Sequence, residues 1–365
     1  MKQSSNAFRV LAGATLVACL AGMAFAQDAA PDTMPAKPMY GHLPPHVSAD
    51  VAVPATHLQT FVGSYTYRAR KYSYDMVGTP PSTGTSTTVP VYIIPIKMVY
   101  VGKTTTTTFD PQHKLTNGLT VVQNTVASPI FQAGIDFNQQ GIDLGNTQYI
   151  DAFQRGNFWN TVKTHTGWHT LLGKPTVEPE QTLTVPAADG SVGNEFGVKV
   201  GLADINWFDT QITAMITKFK IQPNALPIFL TYDTYLTQGG CCIGGYHSAS
   251  GSVSAPQTYS HFTYIDKVGA FAQDVTALSH EIGEWADDPY VGIDGHNNTP
   301  CGILEVGDPL EGNANYGGYP YTLNGFTYNL QDMVWLPYFG APPITSAHGW
   351  STFQGEAMTV CQNGA

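Results

Sequence analysis

Three residues in the segment Leu278–Pro289 have the types and the spacing of a metal-dependent hydrolytic site. On a helix, residues four apart lie on the same face, so His280 and Glu284 project one turn apart and can share one metal ion. Glu281 lies about 100° further round the helix. From there its carboxylate could take a proton from a metal-bound water. The spacing therefore predicts a metal site with Glu281 as its catalytic general base.

A third metal ligand is needed, and acidic residues downstream supply the candidates. Glu305 follows Glu284 by 21 residues and is the favoured third ligand. Asp308 lies just beyond it and could orient His280 from outside the ligand shell. Asp287 is seven residues after His280, on the same helix face, and is the alternative third ligand. One His and two Glu ligands leave a zinc site formally neutral, so one zinc ion is expected, with calcium or manganese as alternatives.

Two further histidines lie just before this helix in the sequence. His247 follows the Gly- and Cys-rich run GGCCIGG and could serve in catalysis by stabilising an oxyanion in the cleft. The alternative is a loop histidine held by hydrogen bonds. His261 lies in segment 257–266, which reads as a strand and could pair with an extended substrate. Its histidine is more simply an ordinary strand residue.

The elements around these residues must position them. A helix is expected from about Gly269 to Asp287 and should stop before Pro289. Apolar residues recur along it at spacings of 4, 3, 4 and 3, which predicts one core-facing stripe, opposite the His/Glu pair: Phe271, Val275, Leu278, Ile282 and Trp285. A metal site on the opposite face of a half-buried helix is the predicted arrangement.

The rest of the chain alternates irregularly between strand and helix patterns. The strongest β pattern is Val89–Val101, a buried strand is expected over Leu226–Tyr235, and helical spacing covers Trp207–Phe219. The last eighty or so residues are rich in Gly, Asn, Pro and Tyr. These patterns predict an α+β fold, with a mixed sheet, an active-site helix and a loop-rich C-terminal part, in one domain over 57–365.

The motif resembles two groups of known proteins. Two helical ligands followed by a Glu some twenty residues later resemble the thermolysin-like gluzincins, although Glu284 replaces the second His of His-Glu-x-x-His. SHEIGEWADDP, CGILEVGDPLEG and the preceding CCIGGYHS resemble a secreted family that includes plant phosphate-induced (exordium-like) proteins and bacterial relatives. The likeness covers about residues 225–312. It implies a zincin-like fold and a metal site on His280, Glu284 and Glu305.

The N-terminus has the pattern of an export signal. Basic residues precede an apolar run, and Ala24-Phe25-Ala26 has the form of a cleavage site, so 1–26 is predicted to be a signal peptide. Leu16-Val17-Ala18-Cys19 also fits a lipobox, which makes anchoring through Cys19 the minor alternative. Segment 27–56 is rich in Pro, Ala and Asp and reads as a flexible lead-in. A secreted or periplasmic bacterial protein is expected.

The net charge and the cysteine count indicate which partners and which compartment suit the protein. Without 1–26 the chain keeps 14 basic against 27 acidic residues, a net charge of −13, which disfavours nucleic acid as a partner. No second apolar run is long enough to span a membrane. Four cysteines remain, an even number that suggests two disulfides. Adjacent Cys241 and Cys242 are expected to pair elsewhere, with Cys301 and Cys361 as the obvious partners.

Two functional classes fit these features. The favoured one is a secreted zinc peptidase, acting on an extracellular peptide or protein through a metal-bound water. The alternative is a non-catalytic secreted protein on a zincin scaffold, which binds wall polysaccharide or a protein, with a structural ion or none. The sequence sets neither the substrate nor the oligomeric state.

Overall fold

The structure is a computed structural model that describes residues 39–43, 45–48, 56–252, 255–356 and 361. All of them belong to one compact unit, Ala36–Ala365. The predicted signal peptide, the lipobox at Cys19 and most of the lead-in lie outside the described residues. Two short strands do lie within the segment predicted to be a flexible lead-in.

The described chain is built mainly of β-strands, with 40% of residues in strands and 21% in helices. The predicted α+β, zincin-like fold is therefore wrong. The physical reason is that Thr-rich and alternating polar segments, which read as loops or isolated strands, pair with one another into ladders. Helical residues are few: the helix over Tyr149–Asn157 ends before Phe158, and the one over Val121–Val126 has fewer than two turns.

Twenty strands and five α-helices are described. The strands are β1 Met39–His42, β2 His46–Ser48, β3 Thr60–Tyr67, β4 Arg70–Val77, β5 Thr87–Val89, β6 Val91–Val101, β7 Thr106–Phe109, β8 Ile135–Gln139, β9 Ile142–Thr147, β10 Thr170–Leu172, β11 Thr176–Val177, β12 Gln181–Val185, β13 Gly190–Glu195, β14 Val198–Asp204, β15 Leu226–Tyr232, β16 Thr234–Thr237, β17 Cys241–Ser252, β18 Ala255–Tyr264, β19 Gly318–Leu323 and β20 Phe326–Gln331. The helices are α1 Val121–Val126, α2 Tyr149–Asn157, α3 Trp159–Val162, α4 Ile205–Phe219 and α5 Thr276–Asp287. Short 3₁₀ turns cover Pro81–Thr83, Asp308–Leu310, Leu336–Phe339, Pro343–Thr345 and Ala347–Gly349.

Twelve strands form one large sheet, whose main path runs β11-β6-β15-β18-β17-β16-β14-β13. Strands β6, β15 and β18 pair in parallel, and β18 pairs antiparallel with β17. Strands β1 and β2 lie parallel beside β17 on its other edge. The central strands are buried on both faces, as expected where apolar layers cover both sides of a sheet.

The two faces of the central sheet carry different cores. Successive residues of β15 point to opposite faces. Ile228 and Leu230 pack in the core that contains α5, whereas Phe229 packs in the core that contains α4. Strands β17 and β18 therefore separate two layers, and the predicted chemistry lies in the α5 layer.

Helix α5 is buried along its whole length. It begins at Thr276, seven residues later than predicted, because Ala272 and Asp274 have positive φ angles of 58° and 41° that no α-helix accommodates. All twelve of its residues are buried, including the polar face. Trp285 donates its indole N–H to the Thr258 hydroxyl at 3.0 Å. The candidate site thus lies in the interior, instead of on the open face of a half-buried helix.

The cysteines pair differently from the prediction. Cys241 is bonded to its neighbour Cys242, and Cys301 is bonded to Cys361. Cys361 comes within 5.7 Å of Cys301, Cα to Cα, which is the usual span of a disulfide and leaves the adjacent pair to each other. Two disulfides are compatible with an extracellular location. In the described part of the chain, every helix is too short or too polar to cross a membrane.

Candidate metal centre

Seven acidic and imidazole side chains meet beside α5. One comes from β17, three from α5 and three from the segment 302–311 that follows α5. We call them the carboxylate–histidine cluster: His247, His280, Glu281, Glu284, Glu305, Asp308 and Glu311. The cluster is therefore assembled from one strand, one helix and one loop.

Glu284 lies at the centre of the cluster. Its Oε1 is 2.9 Å from Nε2 of His280, and it also accepts the backbone N–H of Gly307 at 3.1 Å. Its Oε2 is 3.7 Å from Nδ1 of His247. The two oxygens of one carboxylate therefore face two different imidazoles, one from its own helix and one from the sheet.

The possible metal ligands fall into overlapping sets, within each of which the ligand atoms lie within 4.8 Å of one another. The sets are His247 with Glu284 and Glu305, His280 with Glu281 and Glu284, and His280 with Asp308 and Glu311. The predicted ligands His280 and Glu284 are thus adjacent, while Glu305 groups with Glu284 and His247. Asp308, predicted to act from outside the ligand shell, has its Oδ1 3.5 Å from Nε2 of His280, where it can itself reach an ion.

Glu281 lies beside His247. Its Oε2 is 3.3 Å from Nδ1 of His247. Its buried Oε1 has no hydrogen-bond donor among the residues that the structure describes. Gly245 makes room for it, because a Cβ there would lie 2.8 Å from Oε1. The predicted base is therefore packed tightly, with one oxygen directed at an imidazole and the other unsatisfied.

Burial dominates the electrostatics of the two helix carboxyls. It raises the pKa of Glu281 well above its ordinary value, and repulsion from Glu284, Glu305 and other acids of the cluster raises it further. Burial likewise raises the pKa of Glu284, aided by Asp308 and opposed by hydrogen bonds from the Glu305 carboxyl and the Gly307 N–H. Such carboxyls must hold protons or a cation, because ionised and unpaired they would be expensive to bury.

The cluster has an inner part and an outer part. His247, His280, Glu281 and Glu284 are completely buried. The Asp308 side chain is 42% exposed. Solvent therefore meets the cluster at the 308–311 turn.

Other candidate residues lie outside the cluster. Asp287, the alternative third ligand, accepts a hydrogen bond from Gln154 of α2, and burial raises its pKa to about 8. His261 lies on the opposite face of the sheet, with Nε2 3.1 Å from the Thr231 hydroxyl. Neither belongs to a group of potential metal ligands among the described residues.

Glu311 was missed by the sequence argument. The signal was present, because Glu305, Asp308 and Glu311 follow one another at intervals of three residues. The 3₁₀ turn over Asp308–Leu310 brings i and i+3 residues together, which places Asp308 and Glu311 in one ligand group. The sequence argument also gave Gly307 no role, although a side chain at this position would collide with the His280 ring.

The donor set fits a divalent cation. Imidazole nitrogens together with carboxylate oxygens suit zinc, and the excess of carboxylates also suits manganese or calcium. A cation would supply a partner for the buried Oε1 of Glu281 and would offset the charge of Glu284 and Glu305, which lie in one ligand group. No protein-family model, curated protein or solved structure matches this chain.

Proposed function

We propose that this chain is a secreted metal-dependent hydrolase, and specifically a zinc peptidase. The observation that carries the proposal is the Glu284 carboxylate, buried between two imidazoles and pressed against other acids. Acids whose pKa is shifted by burial and by specific charged neighbours are candidates for a functional site. The resemblance of the HExxE segment to secreted zincin-type sequences supports the same chemistry, on a fold that differs from theirs.

His280, Glu284 and Asp308 are the proposed ligands of the catalytic ion. Nε2 of His280 lies 2.9 Å from Oε1 of Glu284 and 3.5 Å from Oδ1 of Asp308, close to the roughly 3.3 Å edge of a tetrahedron with zinc bonds of about 2.0 Å. A divalent ion there would polarise a substrate carbonyl and lower the pKa of a water molecule. The Asp308 side chain is 42% exposed, so the ion would come nearest to solvent there.

Glu281 is the proposed general base. It belongs to the same ligand group as His280 and Glu284, so its carboxylate lies within reach of a water at the ion. It would take a proton from that water and return it to the leaving amine. His247, 3.3 Å from Glu281, would position the carboxylate instead of stabilising an oxyanion directly.

The test is metal content and casein hydrolysis on purified wild type, His280→Ala and Glu281→Gln. We expect His280→Ala to lose zinc and hydrolysis together, and Glu281→Gln to keep zinc and lose hydrolysis. Asp287→Asn is the matched control, because it changes a buried acid of the same helix that faces Gln154. Wild type that binds zinc yet hydrolyses nothing would contradict the peptidase.

A second candidate is a secreted, non-catalytic protein that binds wall polysaccharide or a protein and uses the ion structurally. The observation in its favour is the complete burial of His247, His280, Glu281 and Glu284, since structural sites are closed to water. It predicts metal binding without hydrolysis and no effect of Glu281→Gln beyond stability.

Export is part of the proposal. Segment 1–26 would be cleaved after Ala26, and the mature protein would fold with its disulfides in an oxidising compartment. Mass spectrometry of protein from the medium or periplasm should find Gln27 as its first residue. A lipid-modified N-terminus at Cys19 would support anchoring, and an intact Met1 would contradict export.

A further inference from the structure

With every carboxyl ionised, as metal binding requires, the carboxylate–histidine cluster would carry more negative charge than one divalent ion can balance. Glu281, Glu284, Glu305, Asp308 and Glu311 are five acids around two imidazoles. When all are ionised their formal charge is −5, so one divalent ion leaves −3 and two leave −1. A residual −3 around buried carboxylates is costly in a poorly solvated interior.

The donors include two sets with no member in common, and a third set, His280 with Glu281 and Glu284, links them. One set is His280, Asp308 and Glu311, and the other is His247, Glu284 and Glu305. Each contains one imidazole and at least one carboxylate. Two mononuclear sets side by side have the composition of a dinuclear centre, in which ions typically lie about 3.5–4 Å apart.

Glu284 has the geometry of a bridging ligand. Its Oε1 approaches His280 at 2.9 Å, while its Oε2 approaches His247 at 3.7 Å. A carboxylate that served one ion alone would not need an imidazole at each of its oxygens. The Gly307 N–H bonded to Oε1 fixes the plane of the carboxylate and so fixes both directions at once.

The two sets differ in exposure. The set with Asp308 opens to solvent through a side chain that is 42% exposed. In the other set His247 and Glu284 are completely buried, and both carboxylate oxygens of Glu305 are buried. An ion in the outer set could exchange with solvent, whereas one in the inner set would be enclosed.

We infer that the cluster binds a second divalent cation between His247, Glu305 and the Oε2 of Glu284, so that Glu284 bridges two ions. This inference rests on the proposed function for the outer ion at His280 and Asp308. The inner ion is structural and holds Glu284 in place for the outer one. Its ligand class, imidazole and carboxylate, suits zinc or manganese.

The test is the zinc stoichiometry of metal-stripped full chain, titrated with Zn²⁺, desalted and weighed by native mass spectrometry. Wild type should bind two equivalents, Glu305→Gln and Asp308→Asn one each, and Glu284→Gln fewer than one. Asp287→Asn should keep two, since its carboxyl faces Gln154 outside the cluster. Circular dichroism on each variant separates loss of a ligand from loss of the fold.

A second readout needs no variant. Wild type loaded with Mn²⁺ should give the electron paramagnetic resonance spectrum of an exchange-coupled pair. Saturation at one equivalent, or two uncoupled ions, would overturn the bridged centre, as would two equivalents retained in Glu305→Gln. Two bridged ions without casein hydrolysis would leave this inference standing and remove the proposed activity; hydrolysis with one ion would do the reverse.

Discussion

Two buried polar groups lie back to back on the two faces of the same strands, and they are balanced in different ways. On the α4 face, Tyr246 and Tyr259 both donate their hydroxyls to Oδ1 of Asp209, at 2.9 and 2.7 Å. His261 lies beside them, with a hydroxyl of Thr231 within reach. One carboxylate is thus satisfied by neutral donors.

The α5 face begins one residue further along β17, at His247. There Glu281 and Glu284 face each other and further acids, and the neighbours that shift their pKa values most are themselves carboxyls. Asp209 and His261 on one face, and Glu281 and Glu284 on the other, are all buried. Burial alone therefore does not distinguish the proposed site from the α4 group, whereas repulsion among neighbouring carboxyls does.

The largest difference between the two faces is expected in the rate of casein hydrolysis by Glu281→Gln and by Asp209→Asn. Removing a general base typically costs 10²–10⁴-fold, so casein hydrolysis by Glu281→Gln should fall by about that factor with zinc retained. Asp209→Asn should keep its activity per folded molecule. The measurement is the steady-state rate of casein hydrolysis per zinc-loaded molecule. An equal loss of rate in both variants would contradict a catalytic role confined to the α5 face.

The next largest difference is expected in zinc affinity, which should depend on residues of the α5 face and not on those of the α4 face. Outer-shell changes alone cost about 10- to 100-fold in metal affinity, so Glu284→Gln should weaken zinc binding by at least about 100-fold. His261→Gln should leave it unchanged, because His261 lies on the other face. Competition with a chromophoric chelator measures both. Wild-type affinity in Glu284→Gln would place the ion elsewhere.

Zinc should raise the free energy of unfolding, and substitutions on the α4 face should not change the size of that increase. At a free zinc concentration 100 times the dissociation constant, one site adds about 2.7 kcal/mol to the free energy of unfolding. Tyr259→Phe should lower stability with and without zinc by equal amounts. Thermal unfolding with zinc or with a chelator gives both increments, and an increment that vanished in Tyr259→Phe would couple the faces.

The two faces should respond oppositely to pH in the metal-free protein. Burial lowers the pKa of His261 to about 3, so the stability that neutral His261 contributes is complete above about 6.5 and is lost as pH falls toward 3. The pKa values of Glu281 and Glu284 are raised, so their contribution is complete below about 4.3 and is lost as pH rises.

Each group then gives a slope of at most about 1.4 kcal/mol per pH unit. Urea unfolding at several pH values should show His261→Gln flattening the acid limb, and zinc flattening the limb toward neutral pH. A wild-type acid limb that His261→Gln leaves unchanged would argue against its low pKa.

Tyr246→Phe should have the smallest effect. Asp209 would keep the hydrogen bond from Tyr259, so the free energy of unfolding should fall by only about 1 kcal/mol. Zinc stoichiometry and hydrolysis should not change. A loss of several kcal/mol would contradict this, because it would mean that Asp209 needs both tyrosine hydrogen bonds to stay buried.

The sequence predicted which side chains of α5 lie together better than it predicted the scaffold around them. Spacing alone brings His280 and Glu284 together, because helix geometry is local and fixed. The same helix was predicted seven residues too long, since a positive φ at Asp274 depends on hydrogen bonds with partners such as Asn329, far along the chain. The predicted fold class was wrong because strands pair with partners far along the chain, and the local periodicity of a sequence does not show which strands pair.

The partners of the helix residues could not be derived from sequence for the same reason. His247 reaches Glu281 because β17 runs in register with β18, Gly245 opposite Phe262, and that register depends on the whole sheet. The cysteine pairing failed because proximity of Cys301 and Cys361, sixty residues apart, is also a tertiary fact. The acidic run after α5 was visible, but which of its members face His280 was not.

The most direct test of the account is an anomalous difference map, recorded at the zinc absorption edge, from crystals of zinc-loaded protein. The account predicts density within bonding distance of the Glu284 carboxylate and the His280 imidazole, with a second peak toward His247 and Glu305. A map without a peak in the carboxylate–histidine cluster, from crystals that contain zinc, would contradict the central claim that these buried acids exist to hold metal.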